Sequence, residues 1–395
     1  MKNFTVLFNL FFIIIAVPLA ENFFSLTMTI EKMTEPLTHL QIGGRKSTLA
    51  VAQSNIVKQM ILEKFPNLEI DVLALSTLGD QVLLKPLYSF GGKSLWTKEL
   101  EILLLEAVDQ YPKLDLIVHS LKDMPTNLPE EFELGAVLTR EDPRDALVMK
   151  AGLPYKCLGD LPDGSIVGTS SVRRSAQLMK NYPNLKFESV RGNVQTRFKK
   201  LDDPNGIYSC LILANAGLVR LGLGDRVTCL LNDDEMYYAV GQGALGIEIR
   251  SNDTAIKNII SSIEHMPTTY CCLAERSLMR YLEGGCSVPI GVHSSYNDAN
   301  DEITLKGIIV SPDGKEFIED VATGIVHNKN DAEKIGIALG DKLLAKGARE
   351  ILDKIDYEKI NQKPTAERPQ EPVKNSPIAN IAFNSPELVH LESAA

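Results

Sequence analysis

The chain has 395 residues, 44% hydrophobic and 23% charged, a composition that supports a buried core and excludes collagen-like or wholly disordered chains. That length predicts two or three domains. The formal charge of −10, from 51 acidic and 41 basic residues, argues against a general nucleic-acid binder, because phosphate backbones reward a basic footprint.

Lys2 and the apolar run 4–20 have the form of a signal peptide, too short for a membrane span once Asn9 and Pro18 are counted. Met28 and Met33 stand just before the first motif, so an over-extended start reads equally well. Residues 1–39 are therefore set outside the fold, and the mature protein is expected to be cytoplasmic, monomeric and free of membrane.

The globular part opens with a strand at 40–42 and a Gly43-Gly44 turn. Ser47 follows as an N-cap, and Leu49, Gln53, Ile56, Val57, Met60 and Lys64 follow at helical spacing until Pro66. A strand is predicted at 71–76. The segment 85–98, KPLYSFGGKSLWTK, reads as a mobile loop before a helix at 99–109. The strand 114–119 then ends in Ser120-Leu121-Lys122-Asp123, and Pro125 and Pro129 keep the next stretch out of a helix.

A second unit begins after Glu141-Asp142-Pro143-Arg144 and repeats this grammar. Its strand 165–168 runs into Thr169-Ser170-Ser171 and a helix bearing Arg173 and Arg174. Gly44, Ser47, Ala52 and Gln53 recur as Gly168, Ser171, Ala176 and Gln177 at identical separations, which points to two similar α/β lobes facing one cleft. Beyond Arg250 a helix at 270–282, a Gly-Gly-Cys loop and strands such as 302–310 predict a small α+β domain. The tail from 362 holds five prolines, Pro364, Pro369, Pro372, Pro377 and Pro386, and is expected to be disordered.

The two strand-to-helix turns expose backbone N–H groups at helix N-termini, a natural place for anions. Ordinary capping explains Ser47 and Ser171, but not the adjacent Arg45, Arg173 and Arg174. Between 173 and 200, Arg173, Arg174, Lys180, Lys186, Arg191, Arg197, Lys199 and Lys200 face one acid, Glu188. That run is either a solvated face or a site for a ligand with several carboxylates, which guanidinium forks bind in bidentate fashion. Lys122-Asp123, at the carboxyl end of a strand where open α/β sheets place ligands, is a surface ion pair or a catalytic carboxylate in a dry cleft. Cys286, in Glu283-Gly284-Gly285-Cys286-Ser287-Val288-Pro289, sits in an irregular loop able to present a thiol; the alternative is a small core residue.

The six cysteines form no C-x-x-C pair and the six histidines no ligand spacing, so neither disulfides nor zinc are expected. Gly241-Gln242-Gly243-Ala244-Leu245-Gly246 satisfies G-x-G-x-x-G, but Ile247-Glu248-Ile249-Arg250 reads as a strand where a dinucleotide site needs a helix.

Taken together, IGGRKSTLAVAQ, GGKSLWTKELE, VHSLKDMPT, DPRDALV, GTSSVRRSAQL, RGNVQTR, YYAVGQGALGIE and AERSLMRYLEGGCSVPIG resemble, in order and over about 40–355, the hydroxymethylbilane synthase (porphobilinogen deaminase) family. The resemblance implies two periplasmic-binding-protein-like lobes with mixed sheets around a cleft, and a third domain carrying the cofactor cysteine. Their bounds are 40–140 with 237–260, then 141–236, then 261–361, leaving 362–395 as the tail. It implies a dipyrromethane cofactor joined by a thioether to Cys286, porphobilinogen as substrate, and no metal, nucleotide or nucleic acid.

By the same resemblance Asp123 is the catalytic acid, expected to be buried, and Lys122, Arg173 and Arg174 hold the cofactor's acetates and propionates. Thr169 and Ser171 are its polar contacts. Arg45, Ser47, Gln53, Arg191 and Arg197 serve the substrate and growing chain. The implied reaction removes ammonia from porphobilinogen and joins four units head to tail. Trp96 stands where phenylalanine is more common in the family, Thr48 falls at a variable position, and both termini are extended. Two other readings stay open on the residues alone: a solute-binding module, which needs neither Lys122-Asp123 nor an exposed thiol, and a nucleotide-dependent oxidoreductase.

Overall fold

A computed structural model describes residues 37–76, 97–282 and 289–354. The expectations for the leader, the loop containing Trp96, the loop containing Cys286 and the tail lie outside the described residues.

The first lobe is a mixed sheet of β1 (His39–Arg45), β2 (Glu69–Leu75), β3 (Leu116–Ser120), β4 (Phe132–Val137) and β10 (Leu245–Arg250), ordered β2-β1-β3-β10-β4. β1 and β3 run parallel, with Ile42 opposite Leu116, and β10 runs antiparallel to β3 and β4. Leu40, Ile42, Leu116, Val118, Ile247 and Ile249 bury one face against Val57 and Ile61 of α1 (Thr48–Lys64). Each such side chain contributes about 1.5–3 kcal/mol on leaving water.

Helix α1 starts where Ser47 predicts it, since the Ser47 hydroxyl accepts the Ala50 N–H at 3.3 Å. Its buried stripe runs through Gln53, Val57 and Ile61, and Ile56 is exposed, because the stripe follows i, i+4 spacing more narrowly than expected. Helix α2 (Lys98–Leu105) ends before 109: Glu106 turns extended, Asp109 takes φ 51, and Val108 pairs with Tyr111 across a turn.

The second lobe contains β5 (Asp145–Met149), β6 (Ile166–Gly168), β7 (Lys186–Glu188), β8 (Cys210–Ala214) and β9 (Cys229–Leu230), ordered β7-β6-β8-β5-β9. Replacing β1, β2, β3, β10 and β4 by β6, β7, β8, β5 and β9 converts one order into the other. β6 is parallel to β8 as β1 is to β3, and β5 is antiparallel to β8 and β9 as β10 is to β3 and β4; β6 is also parallel to β7. Helices α3 (Val172–Asn181), α4 (Val194–Asp202) and α5 (Asn215–Arg220) complete this lobe. The repeat seen in four residues is thus a repeat of topology.

In each sheet the antiparallel strand arrives by a crossing of the chain. β5 follows directly on the strands of the first lobe, and β10 returns after those of the second. Gly241 and Gly243, at φ 71 and 86, shape the return, and Gly246 lies in β10, where a Cβ would come within 2.8 Å of Leu121. These contacts account for the G-x-G-x-x-G glycines, and the strand expected after them is present.

After α6 (Thr254–Ser261) comes the small α+β unit, an antiparallel sheet of β11 (Ile290–Asn297), β12 (Glu302–Val310) and β13 (Phe317–Ile325). It packs with α7 (Met266–Tyr281) and α8 (Lys329–Ala345) around Leu278, Val292, Leu305, Leu339 and Leu343, and α9 (Ala348–Asp353) follows. α7 begins before the predicted 270 because a His265 ring nitrogen accepts the Thr268 N–H and Pro267 fits the first turn. Arg140, on the first crossing, donates to both Glu275 oxygens of α7 at 2.6 and 3.0 Å and to the Gln242 carbonyl at 2.7 Å on the second. One buried carboxylate therefore gathers both crossings against the small domain. No helix among the described residues is long and apolar enough to cross a membrane.

Candidate active site

β3 passes from Ser120 into a 3-10 turn, Leu121–Asp123. Leu121 is buried, Lys122 half-buried and Asp123 exposed, which corrects the expectation of a buried acid at 123. So short a turn buries one side chain, and the apolar Leu121 takes that place. Gln53 donates from Nε2 to the Ser120 hydroxyl at 2.8 Å and accepts from it at 3.0 Å, so its amide ties α1 to the end of β3. Arg45 and Ser47, at the turn between β1 and α1, are half-buried.

The matching turn of the second lobe leaves β6 at Gly168, where a Cβ would come within 2.5 Å of Leu211. Thr169 is buried and its hydroxyl accepts the Ser171 N–H at 3.2 Å. Ser171 is the N-cap of α3, yet its side chain makes no capping bond.

Arg173 and Arg174, in the first turn of α3, are only 6% and 7% exposed, which excludes a solvated face at these two positions. Both meet Asp145, the first residue of β5: Arg173 Nη1 lies 2.8 Å from Oδ2 and Arg174 Nη2 lies 2.7 Å from Oδ1. Arg173 also donates to the Tyr237 carbonyl at 2.7 Å and Arg174 to that of Ile212 at 3.0 Å. Gln242 adds a bond to Asp145 Oδ1 at 2.9 Å. Asp145, 2% exposed, is the buried acid of this cluster. Sequence reasoning gave it no role, although an aspartate opening the apolar strand Asp-Ala-Leu-Val is itself a signal of a paired charge.

Burial alone would raise the Asp145 carboxyl, but Arg173 and Arg174 outweigh it and hold it well below the usual carboxylate range. Burial lowers Arg173, with repulsion from Arg174 adding to it and Asp145 opposing. Burial pushes the Lys122 ammonium down to about 8; Arg174 and Arg173 add to the shift, and Asp123 and Asp145 oppose it. Half-buried Arg197 of α4, bonded from Nε to the Gly192 carbonyl at 2.8 Å, is brought to about 10 by burial and by Arg174 and Arg191. Arg191 itself is exposed.

The structure thus brings Lys122, Asp123, Arg173, Arg174, Arg191 and Arg197 into one electrostatic neighbourhood, with Thr169 and Ser171 at its turn. Lys122 is repelled by Arg173 and Arg174, these two by each other, and Arg197 by Arg174 and Arg191, with Asp123 and Asp145 as the opposing carboxylates at Lys122. Such a cluster is relieved by a polyanion, and guanidinium forks suit carboxylates in particular. Among the described residues, no group of three or more His, Cys, Asp or Glu is arranged to hold a metal.

Two family models match the chain: the porphobilinogen deaminase dipyromethane cofactor binding domain over residues 40–258, and the porphobilinogen deaminase C-terminal domain over 269–345. The chain belongs to the porphobilinogen deaminase family. It is 67% identical over 347 residues to the porphobilinogen deaminase of Debaryomyces hansenii, covering 88% of this chain and 95% of that one. The Saccharomyces cerevisiae porphobilinogen deaminase is 58% identical over 322 residues, covering 81% and 98%.

Among solved structures, a methionine binding protein, MetQ, matches at TM-score 0.35 and 12% identity over 57% of this chain and 90% of its own. The L-cystine solute receptor of Neisseria gonorrhoeae matches at TM-score 0.34 and 12% identity over 66% and 98%. At such scores the fold description rests on the sheets themselves.

The dipyrromethane of porphobilinogen deaminases carries acetate and propionate groups, and the crowded guanidinium groups fit that charge. Cys286, the expected anchor, lies outside the described residues.

Proposed function

We propose that this protein is a hydroxymethylbilane synthase that joins four porphobilinogen molecules head to tail, releasing one ammonia per unit, on a dipyrromethane attached through Cys286. The observation that carries this reading is the clustering of Lys122, Arg173, Arg174 and Arg197, largely withdrawn from water, beside an exposed Asp123. Each porphobilinogen brings two carboxylates, so an acidic protein needs concentrated cations where the chain grows. When bound, the dipyrromethane supplies the pyrrole carbon that receives the first substrate ring.

Arg173 and Arg174, steered by Asp145, hold cofactor carboxylates, with Lys122, Thr169 and Ser171 completing the contacts. Arg45, Ser47, Gln53, Arg191 and Arg197 serve the incoming ring and the lengthening chain. Asp123 faces the pyrrole N–H groups and stabilises the positive charge that develops there as ammonia leaves. The two lobes, 40–140 with 237–260 and 141–236, form the cleft, and 261–361 carries the anchor. In this reading the protein acts as a monomer in a reducing, cytoplasmic setting; the five described cysteines are free thiols.

Incubation with porphobilinogen, following ammonia and linear tetrapyrrole, tests the activity, and intact-protein mass spectrometry tests the anchor. A two-pyrrole adduct on Cys286 is expected. Asp123→Asn is expected to keep that adduct and lose turnover by about 10²-fold or more. Full activity with a bare thiol defeats the anchor, and wild-type turnover in Asp123→Asn defeats the catalytic assignment.

A further inference from the structure

The loop 189–193, between β7 and α4, carries Arg191 and leads into the helix that bears Arg197. β7 stands at the edge of its sheet, with β6 as its one neighbour among the described residues, so the chain beyond Glu188 has no strand on its outer side. None of the N–H groups of 189–193 donates to a backbone carbonyl among the described residues. Regular structure therefore does not hold this loop, and its shape must come from side chains.

Four consecutive carbonyls are taken by four side-chain donors. The Tyr208 hydroxyl donates to Ser189 at 2.8 Å, the Ser170 hydroxyl to Val190 at 2.6 Å, the Lys200 ammonium to Arg191 at 3.1 Å, and Arg197 Nε to Gly192 at 2.8 Å. Val190, 0% exposed, packs with Phe198 and Leu201 of α4. Gly192, at φ 113, folds the chain onto that helix so closely that a Cβ would come within 2.7 Å of Thr196.

The donors differ in how firmly they are themselves held. Ser170 and Lys200 are exposed, and Arg197 belongs to the cationic cluster. Tyr208 is half-buried just before β8, and its ring lies along Gly168, where a Cβ would come within 2.9 Å of the ring Cδ1. The bare glycine at the end of β6 thus leaves the gap through which the phenol reaches from the start of β8 to the end of β7. Burial, with Glu188 adding to it, raises the Tyr208 phenol, so it stays a donor at neutral pH.

Resting on the proposed function, we infer that Tyr208 is a positioning residue for substrate binding: by holding the Ser189 carbonyl it fixes the loop from which Arg191 projects, and so aims that guanidinium at the carboxylates of the incoming ring. Arg191 is exposed, so its backbone decides where the side chain starts, and a loop free to wander adds an ordering cost to each binding event. The hydroxyl acts on binding and leaves the chemical step at Asp123 alone.

Kinetics of the holoenzyme and of Tyr208→Phe, which keeps the ring against Gly168 and removes one donor, test this. KM for porphobilinogen should rise about fivefold, with kcat near wild type and melting temperature within about 3 °C. Arg191→Gln should raise KM about tenfold or more, and adding Tyr208→Phe to it should raise KM no further, because the hydroxyl acts through Arg191. Amide exchange over 189–193 should quicken about fivefold in Tyr208→Phe while that of β8 is unchanged. A wild-type KM in Tyr208→Phe, or a full fivefold rise on the Arg191→Gln background, overturns the inference. If porphobilinogen is not turned over, the proposed function fails on that ground, whereas equal exchange of the loop in the two proteins overturns the inference by itself.

Discussion

The turn from β1 to α1 and the turn from β6 to α3 have the same backbone plan and opposite chemistry. In the first lobe the Ser47 hydroxyl caps its own helix and Gln53 is spent on Ser120. In the second, Ser171 leaves its helix start uncapped by a side chain, and Arg173 and Arg174 lie buried beside it. What separates them is Asp145, delivered under α3 by the strand that crosses over from the first lobe. A strand-and-helix frame is cheap to repeat, and one buried counter-charge converts one copy into a rigid grip for anions. The copy without it keeps its helix capped by Ser47 and leaves Arg45 half-buried beside the turn.

The largest test of that contrast removes the counter-charge. Asp145→Asn should cost about 3–5 kcal/mol in urea unfolding, because two guanidinium groups are left buried without it. The exposed Asp123→Asn should change stability by about 0.5 kcal/mol at most. Since the Asp145 carboxyl is held below its unfolded value, its stabilisation is complete above about pH 4 and fades as the solution becomes more acid. The variant's stability profile should lack that acid slope; equal slopes for both proteins reject the assignment.

A smaller effect is expected from Lys122. Its charge is lost as pH rises through about 8, so KM for porphobilinogen should climb about fivefold above that value while staying flat below it. Lys122→Arg should keep KM flat through the same range, and a climb in both proteins excludes Lys122 as its source. The smallest effect comes from the two caps. Ser47→Ala should lower stability by about 1 kcal/mol, whereas Ser171→Ala should leave stability unchanged and reduce cofactor loading seen by mass. Equal losses of stability for the two variants erase the proposed difference between the turns.

The frame of the molecule was legible because it is local. Gly44, Ser47, Ala52 and Gln53 echo Gly168, Ser171, Ala176 and Gln177, and strand–turn–helix patterns need no distant partner to be read. Arg173 and Arg174 were legible as part of a basic cluster but not as buried, because their burial depends on Asp145 and Ile212, which come from other strands. Asp123 was expected inside, yet Leu121 fills the turn's only buried position, a choice that depends on the β10 backbone packed against it. Arg140 and Glu275 passed unremarked for the same reason, since a charged side chain within an apolar segment has meaning only through what faces it. The helix ends at Leu105 and Met266 shifted because a bridge at Val108–Tyr111 and a histidine cap carry weak local signals.

The exchange of β5 and β10 sets an order of assembly. β3 and β4 do not pair with each other; each needs β10, Leu245–Arg250, to join them. As the polypeptide leaves the ribosome, the earlier lobe therefore waits half-built, two strands lacking the one between them, until the later lobe has been synthesised. Nascent molecules must shield those bare strand flanks throughout that interval, and a stop placed before 245 yields no finished domain of the first kind.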